Sequence, residues 1–339
     1  MFKRWLIILL QSAVTVGLLA FFFHDAEFRE QVAHALRNAK PHWLLLGILF
    51  AGIENLLGVF RWRVFLRILH IDLPFWKTVQ ICLVALFCNT FLLGAAGGDL
   101  VRAAYLLRRG ASKTDALLSV VMDRISGLGG LAIYTLILTI GHYEWLTSSS
   151  GVVPVLGISV MGVFKLIIAY EVGALILLAL SLYISTTSFT TNPPKWAPFP
   201  AFVTKFGTGY SLLVRQWRAS LRSVGISMIM LLMFFAVFYA SSQAFDAPIT
   251  YLQMSTLVPV ADIISAMPIS IGGIGVRESV FQFLLGSLAG IPAGTAVSIS
   301  LVGYLLNNSW GLVGAAVLPL FKGIIHEART RARPLNAEG

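Results

Sequence analysis

Six apolar runs, Trp5 to Phe23, Trp43 to Phe60, Leu117 to Ile140, Phe164 to Ile184, Ser223 to Phe245 and Thr295 to Leu318, are each long enough to cross a bilayer as a helix. The first reaches about 28 Å at the rise of an α-helix, close to the full hydrocarbon thickness. Lipid satisfies no backbone N–H or C=O, so runs of this kind are held to structures that close their own hydrogen bonds, and their length selects the helix. With 57% hydrophobic and 12% charged residues and a mean hydropathy of +0.83, a soluble core is excluded. The fold class expected is an all-α polytopic membrane protein with about six spanning helices. The first run is read as a retained span, because it ends Phe21-Phe22-Phe23-His24-Asp25 and not at a small-residue cleavage site.

Two further apolar stretches, Phe75 to Leu93 and Tyr251 to Gly290, carry flanks that do not suit a simple crossing. Arg61, Arg63, Arg67 and Lys77 precede or open the first, and Arg102, Arg108, Arg109 and Lys113 follow it, so both of its ends read as cytoplasmic. The second has no Lys or Arg in 246–250 or 290–295, so both of its ends read as external. Each is expected to be a re-entrant helical hairpin. The order is then span, span, dip from inside, span in residues 1–150, and span, span, dip from outside, span in 151–325. That is an inverted repeat within one membrane domain over 1–339, with 326–339 as a cytoplasmic tail and both termini cytoplasmic. Eight full spans would instead carry Lys195, Lys205, Arg215, Arg218 and Arg222 to the outside.

The two dips share a motif. Gly97-Gly98-Asp99-Leu100-Val101-Arg102 and Gly272-Gly273-Ile274-Gly275-Val276-Arg277 each close an apolar stretch, and Glu278 follows the second. Non-helical backbone at membrane depth is tolerated where it is buried in protein or lines a wet cavity. Helices restarting at Gly98 and Gly273 would present bared N–H groups and positive dipole ends to an anion, with Arg102 and Arg277 within the first turn or two. The plainer alternative has glycines that permit close packing and arginines that snorkel to an interface. Glu278 is placed to neutralise Arg277 internally.

Asp123 and Arg124 lie some two turns into the third span, before the small-residue stretch Ser126-Gly127-Leu128-Gly129-Gly130. Adjacent helical residues point about 100° apart, so each is expected to pair with another helix, and Asp99 is the nearest partner in sequence for Arg124. A structural ion network and a substrate contact are both open for this pair. Glu54 in the second span and Asp262 in the outer dip are candidates to line a pathway. The six histidines and two cysteines form no metal motif, and no cofactor is expected. There is no Walker A, His-Glu-x-x-His, nucleophile-elbow or dinucleotide fingerprint, so neither an enzyme nor an ATP-driven pump is expected. The net charge of +10 forms no continuous stripe and reads as membrane orientation, not nucleic-acid binding.

The segment Leu92-Leu93-Gly94-Ala95-Ala96-Gly97-Gly98-Asp99-Leu100-Val101-Arg102, followed by Met122-Asp123-Arg124-Ile125-Ser126-Gly127, resembles the flippase-like transmembrane domain of lysylphosphatidylglycerol synthases. The likeness extends to Arg61-Trp62-Arg63 and to Met267 through Glu278, and so covers nearly the whole chain. One position departs from that family's pattern: Leu93 stands where a proline is common before the first Gly-Gly, while Pro268 keeps it in the second copy. The resemblance implies a protein of the bacterial-type inner membrane that moves a lipid between leaflets. The soluble aminoacyl-transferase domain of the larger synthases is not expected here, since too few residues follow Leu318.

The leading functional expectation is therefore a flippase or scramblase for a phospholipid or a polyprenyl or glycolipid headgroup, passive or ion-coupled. Its substrate-binding residues would be Gly97, Gly98, Asp99, Arg102, Asp123, Arg124, Gly272, Gly273, Arg277 and Glu278. Its partners would be anionic or phosphate-bearing membrane lipids, with a homodimer or a lipid-synthesis enzyme as further partners. The alternatives are a transporter of a small soluble anion and a non-catalytic partner of a membrane lipid-modifying enzyme.

Overall fold

Apolar runs of bilayer length become long helices. The computed structural model describes residues 26–91, 97–147, 215–265, 270 and 273–319, with His24 and scattered positions between 152 and 211. The expected span Trp5 to Phe23 lies outside these residues, and Phe164 to Ile184 lies largely outside them. A short amphipathic helix α1 (Ala26–Arg37) precedes α2 (Pro41–Ile68), a helical pair α3 (Phe75–Phe91) and α4 (Gly97–Arg108), and then α5 (Lys113–Gly141) and the single turn α6 (Tyr143–Thr147). After a two-residue antiparallel ladder, β1 (Val152–Val153) with β2 (Ile158–Ser159), come α7 (Trp217–Ala244), α8 (Tyr251–Ser265), α9 (Val276–Ala289) and α10 (Ala293–Asn308), whose helix resumes after Ser309 to Pro319.

Four helices, Pro41–Ile68, Lys113–Gly141, Trp217–Ala244 and Ala293–Pro319, are long and apolar enough to cross a membrane. They match four of the expected spans, and the ladder is the one departure from helix among the described elements. Between them the element order repeats. A long helix of 28 residues, short helices of 17 and 12 and a long helix of 29 are followed by 28, 15, 14 and 27.

Local chemistry sets the breaks. Proline opens α2, where its missing N–H has no helical partner to lose. Ser112 caps α5, its Oγ accepting the Asp115 N–H at 3.0 Å. Gly290 closes α9 in the left-handed conformation at φ 63°. Gly273 (φ 75°) and Gly275 (φ 86°) take left-handed backbone between α8 and α9, and α9 starts at Val276, later than the Gly273 restart expected from sequence. Gly97 and Gly98, the first described residues of α4, are both buried. Gly272 and residues 92–96 lie outside the described residues.

The chain resolves into two compact units. The first is formed by 1–53, 132–172 and 231–309, the second by 54–131, 173–230 and 310–339. In the second unit, α3 packs on α4 around Trp62, Leu66, Ile81, Val84 and Leu106. The helix that continues from α10 also comes close to α3, and glycine permits it: a Cβ at Gly314 would collide with the Leu83 carbonyl oxygen. In the first unit, α8 packs on α9, α9 on α10 and α10 on α1, with Val32 against Val297. Phe238 stacks on Phe281 at 5.5 Å, and a Cβ at Gly303 would meet the Phe238 ring at 2.5 Å.

Candidate functional site

The second unit contains a buried ion cluster built from three helices. Asp123 on α5 accepts two hydrogen bonds from Arg61 on α2, Nε to Oδ1 at 2.7 Å and Nη2 to Oδ2 at 3.2 Å, the fork geometry that suits guanidinium to carboxylate. Arg102, one turn into α4, donates from Nη1 to the same Oδ2 at 2.9 Å. Side-chain exposures are 6% for Asp123, 13% for Arg61 and 18% for Arg102. Two guanidinium groups therefore share one carboxylate in a largely dry setting, an excess of one positive charge among these three side chains. Ser227 on α7 accepts from Arg61 Nη1 at 3.1 Å. Ser227 is itself tied to Ser126 at 3.2 Å, and Ser126 to Ser223 at 3.1 Å.

Two donors in this cluster have no hydrogen-bond partner among the described residues: Arg102 Nε and Trp62 Nε1, the latter on a fully buried indole. The Arg102 guanidinium lies 5.2 Å from the Trp62 ring centroid, so the unmet donors sit on contacting side chains. Gly127 on α5 makes room for the assembly, since a Cβ there would be 3.0 Å from Arg61 Nη1. Asp99 and Arg124 form a separate pair at 2.8 Å, in which Arg124 is half exposed. The start of α4 is met by a neutral amide: Gly98 N–H donates to Asn89 Oδ1 at 2.6 Å.

The first unit holds the second motif. Arg277, at the second position of α9, is buried, and its guanidinium lies 4.5 Å over the Tyr304 ring of α10. Its Nη2 is 3.7 Å from Asp262 Oδ1 on α8, close enough for Coulomb attraction but too far for a hydrogen bond. Its Nη1 is buried and without a partner among the described residues. Glu278 is directed elsewhere. Its Oε2 accepts the Gly275 N–H at 2.5 Å and its Oε1 accepts from Ser300 Oγ at 3.0 Å, so it caps its own helix start and ties that start to α10.

Of the residues singled out in sequence, Arg102 and Asp123 meet directly, Asp99 meets Arg124, and Arg277 lies beside Asp262. Gly97 and Gly98 lead α4, and Gly273 forms the turn before α9, where a Cβ would strike Ser265 O at 2.8 Å. Glu54 lies half-buried in α2, two helical turns before Arg61 on the same face. Arg61 reads in the sequence as a topology-setting flank charge, Arg61 and Trp62 otherwise enter only through the family likeness, and Asn89, Ser227, Ser300 and Tyr304 carry no sequence signal. The Glu278 cap had a readable signal: an acidic residue three positions after the last glycine of the break.

The sequence matches the family model described as lysylphosphatidylglycerol synthase TM region over residues 8–314. It is 24% identical over 324 residues to a UPF0104 membrane protein of Methanothermobacter thermautotrophicus, covering 90% of this chain and 91% of that protein. It is 25% identical over 320 residues to a UPF0104 membrane protein of Pyrococcus horikoshii, covering 90% of this chain and 93% of the relative.

Proposed function

From the premise that this chain belongs to the lysylphosphatidylglycerol synthase transmembrane family, we propose that it is a lipid translocase and not an enzyme, moving a phosphate-bearing headgroup between leaflets while the tails stay in the bilayer. The observation that carries this reading is the Arg61–Asp123–Arg102 cluster. A buried charge without a counterion costs several kcal/mol, roughly, and a monoanionic phosphate diester supplies the missing charge. The same phosphate offers acceptor oxygens to Arg102 Nε and Trp62 Nε1, the two donors with no partner among the described residues.

An inverted repeat with two re-entrant hairpins suits this task, because broken helices at membrane depth bring polar backbone to a wet path. The repeated order of long, short, short and long helices supports that arrangement. So does the membership of the units: each short pair belongs to the unit that holds the adjoining ends of its two long neighbours, α3 and α4 in the second and α8 and α9 in the first. Of the described Lys and Arg residues, twelve belong to the second unit and five to the first, which supports a cytoplasmic setting for the loops of the second unit. The transport mode that fits is passive or ion-coupled.

The test is leaflet exchange in proteoliposomes, with fluorescent phospholipids and polyprenyl phosphates as the panel and entrapped inorganic phosphate as a soluble control. The wild-type chain should move at least one lipid and leave the free phosphate in place. Arg102→Gln removes the surplus charge while leaving Asp123 in its two-bond pairing with Arg61, so the fold should survive and exchange should fall at least tenfold. Equal rates in the two proteins, or release of phosphate with no lipid movement, would overturn the reading.

A further inference from the structure

We infer that Arg277 and Asp262 of the first unit form a second binding place, one that takes a zwitterionic group carrying an ammonium and a phosphate in the same ligand. The two side chains differ from the closed pairs elsewhere in the chain. Arg61, Arg102 and Arg124 meet their carboxylates at 2.7, 2.9 and 2.8 Å, whereas Arg277 stands 3.7 Å from Asp262. The open pair also has spare bonding capacity on both partners. Arg277 is 8% exposed and its Nη1 has no hydrogen-bond partner among the described residues. The Asp262 side chain is 49% exposed, and a carboxylate that open on an apolar helix calls for water or a cation in place of acyl chains.

The other groups nearby limit what can bind. The start of α9 is already met by a negative charge, because Glu278 accepts the Gly275 N–H and the Ser300 hydroxyl. An incoming anion is therefore left to the guanidinium, which the Tyr304 ring supports from one face at 4.5 Å. An anion alone would place two negative charges side by side with Asp262, and a cation alone would stand against Arg277. Arg277 and Asp262 sum to zero charge, so a ligand that is itself neutral overall, with separated charges, satisfies both without leaving a net charge in the interior. The cluster of the second unit, with its surplus positive charge, makes the opposite demand.

An aminophospholipid headgroup and a soluble amino-phosphate share this chemistry. The inference goes beyond the translocation reading and does not require it. Calorimetric titration of the full chain in nanodiscs separates the possibilities with three probes: glycerophosphoethanolamine, glycerophosphoglycerol, which keeps the phosphate and lacks the ammonium, and dihexanoyl phosphatidylethanolamine. Binding that depends on Arg277 is the difference between wild type and Arg277→Gln. In that component glycerophosphoethanolamine should bind at least tenfold more tightly than glycerophosphoglycerol. Asp262→Asn should reverse the order, because the place then carries a net positive charge, and a folding defect weakens both probes without reversing them. An unchanged order in Asp262→Asn, or a wild-type preference for the anion, overturns the inference. If the soluble probe binds as tightly as the short-chain lipid and leaflet exchange is absent, translocation fails and this site stands. If exchange proceeds and the order does not reverse, the site fails and translocation stands.

Discussion

At the scale of single residues, Asp123 is the most demanding position. It is the carboxylate that two buried guanidinium groups share, and removing its charge leaves both uncompensated. Asp123→Asn should lower stability by roughly 3–5 kcal/mol, the range for breaking a buried pair from one side. Denaturation of the purified protein in mixed micelles reads the loss directly. Adding Arg102→Gln to Asp123→Asn should restore part of it, since one stranded charge is then gone; additive losses in the double variant would show that the two residues do not share the cluster. The exposed pair of Lys40 and Asp246 gives the contrast. Its side chains are 43% and 69% exposed, so Asp246→Asn should change stability by no more than about 1 kcal/mol.

At the scale of elements, glycine divides into two classes that sequence does not distinguish. A Cβ at Gly98 would lie 2.6 Å from the Ala85 carbonyl oxygen, a backbone atom of the facing helix α3 that cannot swing aside. Overpacking of this kind costs about 1–3 kcal/mol and outweighs the gain of up to about 1 kcal/mol in helix propensity, so Gly98→Ala should destabilise. Gly225, inside α7, has nothing within 4 Å of its would-be Cβ, and Gly225→Ala should stabilise by about 0.5–1 kcal/mol. Melting temperatures of the two variants in one detergent decide the matter. The long helices were legible because hydropathy and helix coincide over most of their length. They part at the end of α2, where the apolar run stops at Phe60 and the helix continues to Ile68. Arginine is a good helix former, so Arg61, Arg63 and Arg67 extend the element that apolar counting had ended. That is why Arg61 read as a flank charge: its partner Asp123 is 62 positions away, a separation with no periodic signature. The Arg124–Asp99 pair was legible because the choice of intramembrane acids near Arg124 was short.

At the scale of the whole molecule, orientation follows from where the basic residues collect. Arg108, Arg109 and Lys113 bracket the turn between α4 and α5, and the proposed orientation keeps a turn with this charge on the cytoplasmic side. A single cysteine in that turn, in a chain with Cys82 and Cys88 replaced by serine, tests the orientation by labelling. Ser112 is exposed but poorly suited, because its hydroxyl caps α5 and losing it would cost about 1 kcal/mol. Lys113 is exposed as well and leaves the cap in place. A membrane-impermeant maleimide should therefore label Lys113→Cys in inverted vesicles and spare it in intact spheroplasts. Labelling from the outside would reverse the orientation and place the surplus positive charge of the Arg61–Asp123–Arg102 cluster on the side from which a lipid made in the cytoplasm would depart and not arrive. The transport reading would then need its phosphate to be captured from the external leaflet, and the exchange assay would have to run faster from that side.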